Sequence, residues 1–115
     1  MRLKGKFRCV GASDTGRVRE HNEDTIGTDG DIGLVVLADG MGGYKAGEVA
    51  SGIAVRTVLT LVKDAVDRED LSLGDEVNGL SRPGILLRDA IQRANKVIYQ
   101  TAKTQSNCEG MGTTV

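Results

Sequence analysis

The run Leu34-Val35-Val36-Leu37-Ala38 is the longest unbroken apolar stretch in the chain, and it follows Thr28-Asp29-Gly30-Asp31, in which Asp-Gly marks a tight turn. With Asp24-Thr25-Ile26-Gly27 before the turn, this predicts a hairpin whose second arm spans Ile32 to Ala38. An arm apolar on both faces is expected to be a central strand covered on both sides. That requirement constrains every other element of the fold.

Between Gly47 and Val66 the residues Gly52, Arg56, Thr60 and Lys63 fall on one narrow stripe, while Val49, Ala50, Ile53, Ala54, Val58, Leu61, Val62 and Ala65 cover much of the rest. This predicts a largely buried helix. Residues 67–82, rich in Asp, Glu, Ser, Gly and Asn, read as a loop, and Pro83 suits the first turn of a second helix. There Leu87, Ala90, Ile91, Ala94, Val97 and Ile98 recur at helical spacing opposite Arg88, Asp89, Gln92, Arg93 and Lys96. Upstream, Lys6 to Ser13 alternates, with Phe7 and Cys9 on one face and Arg8 and Val10 on the other, which predicts a further strand. From Thr104 the chain is polar until Gly112-Thr113-Thr114-Val115, where a strand begins. No repeat or linker divides residues 1–115, so they form one unit. A central strand and two apolar helices need more covering surface than a hairpin and one short strand supply, so the unit is expected to be a portion of a larger domain.

Several function classes are excluded. Fifteen Lys and Arg against sixteen Asp and Glu leave a formal charge of −1, and only Phe7, Tyr44 and Tyr99 are aromatic. Neither a basic face nor a set of stacking rings favours nucleic acid as a partner. No apolar run approaches the roughly 20 residues of a membrane-spanning helix, and the basic start Met1-Arg2-Leu3-Lys4-Gly5-Lys6 leads into no signal-peptide core. The expectation is a cytoplasmic protein with no membrane partner. Cys9 and Cys108 have no metal-spaced companions and read as ordinary thiols.

The chemistry gathers in the first forty-five residues. Glu23 and Asp24 enter one arm of the hairpin and Asp39 leaves the other, and a hairpin brings its outer ends together. Clustered carboxylates repel unless protonated or neutralised, so hard divalent cations such as Mg²⁺ or Mn²⁺ suit them; the alternative is a set of solvated loop carboxylates. In Asp39-Gly40-Met41-Gly42-Gly43 the glycine after the acid allows a close backbone approach, so the Gly40 carbonyl is a possible second oxygen ligand. Two sharper motifs fail. Tyr44 separates Gly43 from Lys45 where a phosphate-cradling Gly-Lys-Ser/Thr loop is contiguous, and Gly33 stands where a calcium loop starting at Asp29 needs Asp or Asn. Arg19, five residues before Asp24, has the planar fork to hold two phosphate oxygens, or else it is a solvated charge, as Arg17 is. His21, the single histidine, reads as an exposed loop residue.

Taken together, Ser13-Asp14-x-Gly16-x-x-Arg19-x-x-Asn22-Glu23-Asp24, Leu37-Ala38-Asp39-Gly40-Met41-Gly42-Gly43, Gly47-Glu48-Val49-Ala50-Ser51 and Gly110-Met111-Gly112-Thr113-Thr114 resemble the opening half of the bacterial metal-dependent Ser/Thr protein phosphatases, the PPM or type 2C family. The resemblance runs from about residue 8 to the end. It implies an α+β fold, part of a four-layer α-β-β-α sandwich with two antiparallel sheets, present here as early strands plus a helix pair. It implies that Asp39 bridges two Mn²⁺ or Mg²⁺ ions, that the Gly40 carbonyl ligates one, that Glu23 and Asp24 mainly hold metal-bound waters, and that Arg19 grips the substrate phosphate. The implied reaction is hydrolysis of phosphoserine or phosphothreonine in protein substrates of Ser/Thr kinases, by a water activated between two metals, without a phosphoenzyme.

Two departures bear on that reading. Met41 occupies the place where many eukaryotic members carry a histidine, and it has no proton to give the leaving group. The family's later acidic motifs have no counterpart, since Glu109 is the sole acid after Asp89. Weak or absent turnover by these residues alone is therefore the expectation. A non-catalytic phosphate- and cation-binding module is the alternative, and an interaction domain using the two helices is a third.

Overall fold

The hairpin forms, its second arm starting at Leu34 rather than Ile32 and running past Ala38 to Met41. In the computed structural model, which describes residues 3–6, 8–68 and 79–115, β1 (Asp24–Asp29) pairs antiparallel with β2 (Leu34–Met41), Asp24 opposite Asp39 and Asp29 opposite Leu34. The connection is a four-residue loop. Asp31 N–H donates to the Asp29 carboxylate at 3.1 Å, and the left-handed position falls on Gly33 (φ 69°) rather than on Gly30. A short third strand, β3 (Gly112–Thr113), pairs antiparallel with Gly40 and Met41 at the far end of β2, so the sheet order is β1-β2-β3.

Two helices follow the hairpin: α1 (Ala46–Arg68) and α2 (Arg82–Thr104). α1 packs on the sheet and on α2. Small residues allow the close approach. Ala38 of β2 and Ala46, Ala50 and Ala54 of α1 are almost wholly buried, and Val36, Val55, Val58 and Val62 fill the space beside them. A methyl group on Gly27 would come within 2.6 Å of the Val55 and Leu59 side chains. The buried Ser51 hydroxyl is satisfied at 2.7 Å by Thr25 Oγ1 and at 3.3 Å by the Glu48 carbonyl. α2 starts as its sequence dictates, with Ser81 accepting from Gly84 N–H at 3.3 Å and Pro83 in the first turn.

The architecture is α+β, one three-stranded antiparallel sheet with a helix pair. Three expectations need correction. β2 is covered on one face only: Val36, Ala38 and Gly40 are buried against α1, whereas Val35, Leu37 and Met41 are 62–65% exposed, because no described element supplies a layer over that face. Residues 8–13 join no ladder. Gly11 merely rests on the Ile26 side chain and these residues do not take the open edge of β1, so alternation alone does not make a strand. Phe7, on which that alternation leaned, lies outside the described residues, as do residues 69–78 of the expected loop. Finally, α2 buries the stripe Ala90, Ala94 and Ile98, while Leu87, Ile91 and Val97 remain 37–40% exposed. α1 is its main partner, and one helix covers only a narrow seam.

Candidate metal and phosphate site

Directly opposed residues of an antiparallel pair share a face, so the Asp24–Asp39 pairing sets both carboxylates side by side, on the face of the hairpin away from α1. Each is fixed by its backbone. Asp24 N–H donates to Asn22 Oδ1 at 3.0 Å, and Asn22 in turn donates to Ser13 Oγ at 2.7 Å. Asp39 N–H donates to Thr114 Oγ1 at 2.9 Å, and Thr114 N–H donates back to the Asp39 carbonyl at 2.9 Å. Gly40 N–H donates to the Glu23 carbonyl at 3.1 Å, which ties the strand ends together where the acids sit. Asp14 accepts from Gly16 N–H at 2.7 Å and shapes the approaching loop, whose Gly16 is left-handed (φ 81°).

Gly40 is demanded by packing as well as by chemistry. A methyl group there would overlap the Gly47 carbonyl oxygen and come within 2.9 Å of the Glu23 carbonyl. The first turn of α1 thus lies directly on the end of β2. The link between them, Met41 to Lys45, places two consecutive non-glycine residues, Tyr44 (φ 51°) and Lys45 (φ 64°), in the left-handed region, at a cost of about 1 to 2 kcal/mol each.

An open cleft of about 770 Å³ lies over this end of the sheet, and Asp14, Arg19, Glu23, Asp24, Asp39 and Gly40 are among the residues lining it. All the site residues expected from the sequence meet there. They do not all converge on one point. The Glu23 carboxylate lies against Gly47, at the start of α1, where the helix dipole favours an anion. Among the described residues no group of three or more His, Cys, Asp or Glu side chains is placed to hold an ion. The close set is therefore two carboxylates and the Gly40 carbonyl region. Arg19 engages no carboxylate among the described residues, which leaves its fork available to an anion in the cleft. Arg17 does not line the cleft. His21 is exposed as expected, yet it does line it, as do Val18 and Met41. The positioning roles of Ser13, Asn22 and Thr114 were not assigned from sequence, although all three fall within the motifs quoted above.

The pair carries an electrostatic signature. Loss of solvation, the negative charge of Asp39 and a hydrogen bond between the two carboxyl groups raise Asp24 above its ordinary value of 3.8. Because Asp24 is exposed, the facing charge is the cause that matters most. A raised carboxyl pKa contributes stability below the unfolded value and loses it as pH rises through the folded one. In EDTA, the melting temperature of the parent is therefore expected to fall relative to that of Asp24→Asn as pH climbs upward from 3.8, and Mn²⁺ is expected to reverse the fall. Parallel curves for the two proteins would refute the repulsion.

Comparison with known proteins adds a family to this fold. Residues 13–115 match the family model for protein phosphatase 2C. The serine/threonine phosphatase stp of Listeria monocytogenes is 38% identical over 106 residues, covering 90% of this chain and 38% of that protein. The serine/threonine protein phosphatase PstP of Mycobacterium tuberculosis is 33% identical over 109 residues, 95% of this chain and 18% of that one. The crystal structure of the PstP catalytic domain in complex with two manganese ions superposes with a TM-score of 0.66 at 34% identity, covering 89% of this chain and 38% of that one. The chain thus spans 38% or less of the length of these relatives. With four ordered motifs, a paired-acid cleft at the end of the hairpin and a family match over residues 13–115, the chain belongs to the protein phosphatase 2C family.

Proposed function

We propose that the protein carrying these residues hydrolyses phosphoserine and phosphothreonine in protein substrates, with two Mn²⁺ or Mg²⁺ ions at the Asp24–Asp39 end of the hairpin. The observation that carries the proposal is the pairing of those two carboxylates beside Arg19 in one cleft. The donor set fits such ions: two carboxylates that repel each other when both are charged, with a backbone carbonyl next to them, are hard oxygen ligands of the kind that hold Mg²⁺ or Mn²⁺ together with substrate phosphate. Asp39 and the Gly40 carbonyl would hold the ions, with Asp24 beside them to orient bound water and Glu23, whose carboxylate lies against Gly47, contributing from the cleft wall. When bound, the ions supply an acidified water and offset the negative charge of the phosphoryl oxygens.

The chain's own residues then have separate tasks. Arg19 holds the non-bridging phosphate oxygens and aligns phosphorus for in-line attack. The five acids lining the cleft, Asp14, Glu20, Glu23, Asp24 and Asp39, repel a phosphate dianion when no cation is present, so phosphate binding and cation binding are coupled. Met41, next to Gly40, donates no proton, so the departing serine or threonine oxygen takes its proton from water or from another group.

The described residues provide two close carboxylates, and turnover by a polypeptide of residues 1–115 only is expected to be slight. Hydrolysis of p-nitrophenyl phosphate and of a phosphothreonine peptide, assayed with Mn²⁺ and with EDTA, tests both statements. A longer natural chain containing these residues is expected to hydrolyse both substrates only with Mn²⁺. Cation-independent hydrolysis would overturn the mechanism. Phosphopeptide binding without hydrolysis would favour a phosphate- and cation-binding regulatory module instead. Cytoplasmic signalling against Ser/Thr kinases belongs to the same proposal; no helix among the described residues is long and apolar enough to cross a membrane.

A further inference from the structure

Two exposed apolar side chains share the cleft of the acidic pair, and a third follows its wall closely in the chain. Val18 (91% exposed) and Met41 (64%) line the cleft, and Tyr44 (91%) lies two residues beyond Gly42, which also lines it. Single exposed apolar side chains are ordinary. Two in a cleft lined mostly by charged and polar groups, with a third two residues beyond its wall, are not. The backbone of Tyr44 adds an independent observation. It is held left-handed, where glycine or asparagine sits with less strain, and its ring makes no hydrogen bond or ring contact among the described residues. Strain at a side chain that gains nothing inside the protein points to a ring kept for something outside it.

We propose that Val18, Met41 and Tyr44 form an apolar seat for the residue next to the phosphorylated serine or threonine, so that the site prefers phosphopeptides with a large aliphatic or aromatic neighbour. The inference rests on the phosphatase reading and names its substrate class. Phosphate is common to every phosphoprotein, so Arg19 and the cations cannot discriminate among substrates; selection has to come from the chemistry beside the phosphate. Val18 is adjacent to Arg19 in the chain, which puts the seat next to the phosphate grip. The same cleft carries Asp14, Glu20 and Asp24, which repel an acidic neighbour.

The test uses phosphothreonine peptides that differ only in that neighbour, Leu, Gly or Glu, and hydrolysis-resistant phosphonate versions of the same peptides, with Mn²⁺ present. Binding of the phosphonates by fluorescence anisotropy is expected to favour Leu over Gly about tenfold, or about 1.4 kcal/mol, and Gly over Glu. Tyr44→Asn, which suits the left-handed backbone, is expected to bring the Leu-to-Gly ratio below about threefold, and Tyr44→Phe to preserve it. Equal affinity for the Leu and Gly peptides, or a ratio unchanged in Tyr44→Asn, overturns the seat. Binding of the phosphonates with the expected ratio but no hydrolysis of the phosphopeptides overturns the phosphatase reading and leaves the seat standing. A protein that binds none of them overturns both.

Discussion

Asp39→Asn is expected to lower Mn²⁺-dependent kcat by at least about a thousandfold, equivalent to about 4 kcal/mol of transition-state stabilisation. The substitution keeps the shape of the side chain and deletes its charge, so the hairpin register and the bonds from Thr114 to the Asp39 backbone have no reason to change. What disappears is the anionic partner of Asp24. Without cations the variant is expected to melt at a higher temperature than the parent, because the repulsion that raises Asp24 is gone. With Mn²⁺ present the order reverses: the parent gains stability by mass action and the variant does not. Rates and thermal melts measured in EDTA and in Mn²⁺ check both halves. A variant that keeps its Mn²⁺-induced melting shift would show that the ions bind elsewhere, and a variant with near-parental kcat would remove Asp39 from the mechanism.

Gly40→Ala is expected to be the most damaging single methyl in the chain. Its new carbon would overlap the Gly47 carbonyl oxygen and crowd the Glu23 carbonyl, both of them backbone atoms that cannot rotate away. Relief requires the first turn of α1 to lift off β2, and with it the layer that buries Ala38, Ala46 and Ala50. Overpacking of cores typically costs about 1–3 kcal/mol, and a backbone overlap belongs at or above the top of that range. For a chain of this size about 3 kcal/mol corresponds to a fall in melting temperature of more than about 10 °C. The same movement disturbs the strand end at Gly40, whose carbonyl is a proposed ligand beside Asp39, so Mn²⁺ affinity is expected to fall in parallel. Gly43→Ala, where a methyl group meets nothing within 4 Å, is the control and is expected to shift the melt by no more than a few degrees. An unchanged melt for Gly40→Ala would mean that α1 does not lie on the strand end as described.

Much of this was legible in the residues because it is governed by neighbours in the chain. Ser81 and Pro83 start α2 through atoms three residues apart, and the length of the connection after Asp29 sets which residues of the two arms face each other. That register alone brings Asp24 and Asp39 together, so the paired acids follow from the hairpin. Arg19 reaches the same cleft because only four residues separate it from Asp24.

What lay out of reach depends on elements far apart in the chain. Thr114 holds Asp39 across seventy-five residues, and Glu23 turns toward Gly47 because α1 happens to begin there. The apolar pattern announced that β2 and α2 are sticky, but it carried no information about which of their faces would be covered, since periodicity describes one segment and burial describes two. Alternation in residues 8–13 failed for the same reason: a strand exists only where its hydrogen bonds pair with another edge. Short-range sterics and hydrogen bonds written into the chain set the two helices, the hairpin and the chemistry of the cleft. The packing of α1 on the end of β2, and with it the uncovered face and the separation of Glu23 from the acid pair, was decided only when distant surfaces competed to bury apolar area and satisfy backbone groups.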